Sequence, residues 1–242
     1  DLRELQRRHP LYLRDALDRG DVYAAVCMRM GYANFVWLVR GDPLGARREV
    51  HEAMEAWSKK GHHLEHFYEL VALVNVDLYE GRPAEGLRRV NERWDALRRV
   101  LLFRIATVRI RCLEMRARCA LAVARERPEA SRALLASAER DAGRIARERA
   151  PWATALAWLL RASAAALRGD RARATALLRK AIAGFEAADM ALHATAARWR
   201  LAGLVGGEEQ QALEARAAAW LREEGVADAE ALVSTLAPGF PR

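Results

Sequence analysis

Apolar residues recur along this chain at the three- and four-residue spacing of helices, and almost nowhere with the alternation of a strand. β-branched clusters are few, and Asn-Gly or Asp-Gly hairpin turns are absent. Short breakers divide the helical stretches: Gly41-Asp42-Pro43, Gly81-Arg82-Pro83, Arg127-Pro128, Gly169-Asp170 and Gly206-Gly207. Each suits a helix end followed at once by a new start. Gly supplies the left-handed cap, Asp the N-cap and Pro the first helical residue. Successive breakers lie 37 to 46 residues apart. A period near 40 built from two helices is the mark of an α-solenoid. The expectation is an all-α fold.

Within second helices a small–large–small pattern recurs. Ala46, Val50 and Ala53 carry it, as do Ala174, Leu178 and Ala181, and more loosely Ala130, Leu134 and Ser137. Small residues let helices approach closely while the large one fills the gap. This is the tetratricopeptide arrangement, lengthened by longer first helices. Gly86, Val90 and Arg93 keep only part of it, and the region of Ala212 loses it. The pattern predicts one repeat domain over 1–242, a right-handed superhelix of about five pairs at 21–60, 61–100, 101–150, 151–190 and 191–225. A lead-in helix at 11–19 and a closing helix near 228–236 flank them.

Composition narrows the class. With 242 residues, 52% hydrophobic and 30% charged, the chain has ample apolar content for a core, which excludes intrinsic disorder. Three cysteines are too few and too odd for a disulfide scaffold, so Cys27, Cys112 and Cys119 are expected as reduced thiols, and a cytoplasmic location follows. The longest apolar run, residues 153–160, stops at Arg161, short of the roughly 18 residues of a membrane span. The chain opens at Asp1 without Met, and is expected to be a piece of something longer. Its net charge of +8 is uneven: residues 101–150 carry +6 and residues 201–242 carry −4. Of 40 basic residues only Lys59, Lys60 and Lys180 are lysine.

Candidate chemistry is sparse. His62 and His66 stand at i, i+4 in the run Gly61–His66 and would share a helix face, as two zinc ligands do, but a third ligand is missing. The competing reading is a polar first turn with one histidine against Trp57. Cys112 and Cys119, seven apart on one face, lie about 10 Å apart along a helix axis, too far to bond, and read as small core residues. Gly-rich phosphate loops, Gly-x-Ser-x-Gly, His-Glu-x-x-His and kinase signatures do not occur. No catalytic residue, cofactor or metal is expected, and the chain reads as a non-enzyme. Of the seven tryptophans, Trp37, Trp57 and Trp158 fall on apolar stripes, whereas Trp94 and Trp220 sit among charges.

The stretch 101–126 is the most informative for binding. Read as one helix, it has an apolar stripe of Phe103, Ala106, Ile110, Leu113, Ala117, Ala120 and Leu121. Arg104, Arg111 and Arg118 recur every seven residues beside it, and so do Arg109 and Arg116. Such a row predicts a guanidinium ladder facing a groove suited to carboxylates or phosphates. The alternative is a solvated outer face partly neutralised by Glu114 and Glu126.

Residues 35–57 (FVWLVRGDPLGARREVHEAMEAW), 181–209 (AIAGFEAADMALHATAARWRLAGLVGGEE) and 236–240 (LAPGF) resemble the C-terminal helical-repeat region of large bacterial serine/threonine protein kinases of the myxobacterial type. The Gly-Phe-Glu-Ala-Ala-Asp-Met run and the terminal Ala-Pro-Gly-Phe carry the resemblance most specifically. It implies a kinase domain upstream, often followed by an ATPase module, and a regulatory or interaction role for the repeats. It brings no catalytic residue to this chain. The expected function is a non-catalytic interaction or sensor domain whose partner is a protein or acidic peptide segment, with no membrane contact. Nucleic-acid binding by the basic middle, and a small-molecule inducer site, are the alternatives. The basic stretch lacks interleaved exposed aromatics for base stacking, which weighs against nucleic acid.

Overall fold

The computed structural model describes residues 1–57 and 63–240. Every regular element among them is helical, thirteen α-helices with two short 3₁₀ turns and no strand. Most helices pack against the one that follows them in the chain, as a helical repeat requires. The pattern expectation treats 1–242 as one domain. Contacts within the chain divide it into two compact units, one of residues 1–105 with 222–232, the other of 106–221 with 233 onward.

The first unit holds α1 (Leu2–Asp18), α2 (Val22–Arg29), α3 (Phe35–Val39), α4 (Pro43–Ala56), α5 (Leu64–Tyr79) and α6 (Pro83–Arg99). The lead-in helix starts nine residues earlier than expected, because the Asp1 carboxylate caps the Glu4 N–H at 2.8 Å. It runs on through Pro10, which has no N–H for the Gln6 carbonyl; Arg40 donates to that oxygen instead, at 2.9 Å. The next stretch is broken in two. Gly31 turns left-handed (φ 60°) and its N–H reaches the Tyr68 oxygen on α5 at 3.1 Å. Buried Asn34 then fastens the break, donating to the carbonyls of Arg29 and Ala46. The Gly41-Asp42-Pro43 breaker works as its residues dictate, with Gly41 at φ 74°, Asp42 accepting from the Gly45 N–H and Pro43 opening α4. Buried Asp77 of α5 accepts from Arg47 of α4 and Arg89 of α6, so one carboxylate ties three helices. Residues 222–232 close the unit: Gln6 donates to the Glu224 carbonyl and Ala227 to the Val39 carbonyl.

The second unit holds α7 (Ala106–Glu126), α8 (Ser131–Ala146), α9 (Pro151–Leu167), α10 (Arg171–Ala187), α11 (Ala191–Ala202) and most of α12 (Gly207–Glu223). Its core is alanine-rich: Ala155, Ala157, Ala162 and Ala164 of α9 and Ala174, Leu178, Ala181 and Phe185 of α10 are all buried, and the two helices pack together. The small residues set the approach. A Cβ placed on Gly184 would lie 3.0 Å from the Ala155 Cβ and 3.1 Å from the Trp158 ring. Asp170 caps α10 at the Arg173 N–H, as the Gly169-Asp170 breaker predicts. The last helix, α13 (Ala229–Leu236), delivers residues 233–240 to this unit.

The stretch after α6 also differs from the pattern. The helix expected from Leu101 to Glu126 starts at Ala106. Leu101 adopts a left-handed conformation (φ 62°), a 3₁₀ turn spans Leu102–Arg104, and Ile105 is extended. Phe103 therefore leaves the apolar stripe and meets Trp94 edge to face at 4.8 Å. Ile110, Leu113, Ala117, Ala120 and Leu121 form the stripe as expected, while Ala106 is exposed.

Candidate interaction surface

The five arginines of the predicted ladder do not share one face. Arg104 is exposed on the 3₁₀ turn, outside α7 and in the first unit, because Leu101 and Ile105 interrupt the helix before it. Arg109 and Arg116 turn toward α8 and the loop after it. Arg109 grips Glu148 through two bonds of 2.6 Å, and Arg116 grips the buried Asp141 carboxylate through bonds of 2.8 and 2.7 Å. These bidentate pairs are strong and directional. The bond to Arg109 holds the Glu148 carboxyl below its ordinary range. Their geometry joins neighbouring helices.

Arg111 and Arg118 form the other series. The Arg111 guanidinium lies 5.6 Å from the Trp152 ring centre, a cation–π distance. Arg118 is only 3% exposed and pairs with the equally buried Glu114 one turn earlier, at 2.7 Å. It also donates to the Thr235 main-chain oxygen at 2.8 Å. Burial, with the positive charges of Arg111 and Arg118, drives the nearby His193 imidazole down to about 3, so it is neutral in the folded chain.

Three helices of the second unit thus meet residues 233–240. Arg118 on α7 holds the Thr235 carbonyl, and Arg200 on α11, itself 4% exposed, holds the Ala237 carbonyl at 3.0 Å and the Ser234 hydroxyl at 2.8 Å. Gly239 (φ 89°) lies so close to Leu121 of α7 and to Ser163 and Leu167 of α9 that a Cβ there would stand 3.1 to 3.6 Å from all three. Val233, Leu236, Ala237 and Phe240 are buried. The reason for the arginines is local. A helix leaves its last carbonyls unpaired, and a guanidinium beside that end satisfies them and complements the dipole.

Sequence reasoning did not single out Arg200, and it read residues 228–240 as a closing helix and a mark of the family resemblance, with no part in a site. A signal existed: Arg198 and Arg200 interrupt an otherwise alanine-rich helix, and the terminal Leu-Ala-Pro-Gly-Phe is uncharged.

The remaining candidates resolve simply. Of the His62/His66 pair, His62 lies outside the described residues. His66 is buried and its Nδ1 accepts from the His63 N–H at 3.1 Å, while the His63 ring stands edge-on to Trp57 at 6.5 Å. Among the described residues no group of three or more His, Cys, Asp or Glu is placed to hold a metal ion. Cys112 and Cys119 are fully buried, and burial pushes the Cys112 thiol up to about 12. All seven tryptophans are half-buried, including Trp94 and Trp220. No helix among the described residues is long and apolar enough to cross a membrane. Compared with protein-family models, curated proteins and solved structures, the chain matches none of them.

Proposed function

We propose that this chain is a non-catalytic helical-repeat domain, a right-handed stack of about five tetratricopeptide-like pairs, that binds a protein segment within a larger signalling protein. One observation carries the reading. Residues 233–240 lie on a surface supplied by α7, α9 and α11, held by side-chain bonds to main-chain oxygens. Recognition through the backbone is how a surface accepts polypeptide, with pockets for alternate side chains adding selectivity. The sequence resemblance to kinase C-terminal repeats supplies the signalling context. Phosphate recognition is the weaker reading, because Arg109 and Arg116 in the basic stretch are spent on carboxylates.

The test is to pan displayed random peptides against the full chain and map the selected ones by photo-crosslinking. Crosslinks at α7, α9 or α11 support the reading. Selection of no peptide, or crosslinks confined to other helices, overturns it.

A further inference from the structure

We propose that residues 233–240 are a resident ligand, occupying in cis a surface that takes the equivalent segment of another protein once the resident one is displaced. The inference rests on reading α7, α9 and α11 as a segment-binding surface, and it adds the occupant, its chemistry and its competition.

The contacts define that chemistry. α13 ends at Leu236, and Ala237 N–H closes back on the Val233 oxygen at 2.8 Å. At and beyond this end the Thr235 and Ala237 oxygens accept from Arg118 and Arg200. Neither of these two bonds reads a side chain, whereas the Arg200 bond to the Ser234 hydroxyl does. Shape adds to the selectivity: Gly239 passes where a Cβ would press on Leu167, and Phe240, 1% exposed, is buried just after it. The surface therefore fits a short, mainly apolar helix with a hydroxyl in its last turn, whose terminal carbonyls meet the two guanidinium groups and which continues as a small residue followed by an aromatic ring. Such a partner takes over the bonds that Arg118 and Arg200 make to the resident segment.

Tethering favours the resident. Covalent continuity through α13 raises its effective concentration, so an outside segment binds the intact chain weakly and gains when the resident one is disabled.

The experiment uses a fluorescein-labelled peptide of the sequence of residues 229–240, followed by anisotropy, with the full chain and its full-length Phe240→Asp variant. A carboxylate does not tolerate that buried position, so the variant's own segment is expelled. The expected result is peptide binding at least tenfold tighter to Phe240→Asp, with the helical circular dichroism kept. A folded variant with no gain in affinity overturns the proposal. Should Phe240→Asp fail to fold, Ser163→Cys with Gly239→Cys decides the matter. The Cβ atoms at these positions are 3.5 Å apart, within disulfide range. The left-handed backbone at Gly239 strains both redox states alike and cancels in their comparison. The oxidised, locked chain is expected to bind the peptide at least tenfold more weakly than the reduced chain; equal binding overturns the proposal. The two readings fail separately. Foreign segments that bind locked and unlocked chains equally refute only the cis competition. A chain that binds its own peptide but no foreign segment refutes only the wider function.

Discussion

Arg118 and Thr235 stand 117 residues apart in sequence, yet the guanidinium Nη1 of one lies 2.8 Å from the main-chain oxygen of the other. The same guanidinium pairs with Glu114, and both side chains are almost wholly buried. Removing one member of such a pair leaves the other as an uncompensated charge, at a cost of about 3–5 kcal/mol. Arg118→Gln is therefore expected to lower stability by that amount in urea denaturation. Arg104→Gln, at an exposed position on the 3₁₀ turn, should change it by no more than about 0.5 kcal/mol. Equal effects at the two positions would show that burial of Arg118 is energetically unimportant.

Asp77 makes the corresponding junction in the first unit. Its carboxylate is fully buried and accepts from Arg47 at 2.6 Å and Arg89 at 2.8 Å. Asp77→Asn keeps the shape and removes the charge, leaving Arg89 with only a long 3.5 Å contact to Glu85 and Arg47 with Glu80. Because Arg47 keeps one partner, the loss should fall near the lower end for a broken buried pair, about 3 kcal/mol. Glu85→Gln on α6, a half-buried carboxylate at the surface, should cost much less. Hydrogen exchange resolved to α4, α5 and α6 checks whether all three helices lose protection together.

The helical class and most boundaries were legible because their causes are local. Gly41, Asp42 and Pro43 form a stop and a start by themselves, and Gly169 with Asp170 does the same. Leu101 was not legible: a leucine in the left-handed region is a local rule broken, and nothing in the spacing of Arg104, Arg111 and Arg118 reveals it. The ladder was read from a seven-residue period, which fixes the face of a helix but not whether that face is wet. Burial of Arg118 depends on Thr235, and that of Arg200 on Ala237, contacts that helical periodicity does not encode. The partners that define the candidate surface are distant in sequence, and so the surface emerged only with the fold.

Thiol chemistry gives an independent check on the core. Burial raises the Cys27 thiol above its ordinary range and takes Cys112 to about 12, and a thiol, unlike a thiolate, is a poor nucleophile. Cys112 and Cys119 are enclosed on α7, while Cys27 is half-buried. At neutral pH an aromatic disulfide reagent should label Cys27 slowly and the other two only after denaturant is added. Three fast equivalents from the folded chain would place α7 outside the core and contradict its packing.

His193 predicts how the chain responds to acid. Its ordinary value of 6.5 falls to about 3 in the folded state, through burial first and the charges of Arg111 and Arg118 second. Between those values the unfolded chain binds a proton at this position and the folded chain does not. Stability must then rise with pH across the window, being complete above about 6.5 and lost as pH falls toward 3, by at most about 1.4 kcal/mol per pH unit. Carboxylates add to the loss only lower down. Glu139 and Glu148, held below 4.5 by their bonds to Arg168 and Arg109, surrender stability as pH drops beneath that value. Comparison with His193→Gln separates this contribution from every other. Urea midpoints at pH 7.5, 6.5, 5.5 and 4.7 should decline more steeply for the native chain than for His193→Gln. A native chain that is equally stable at 6.5 and 4.7 would mean the imidazole is charged in the folded state, and that Arg111 and Arg118 do not bear on it.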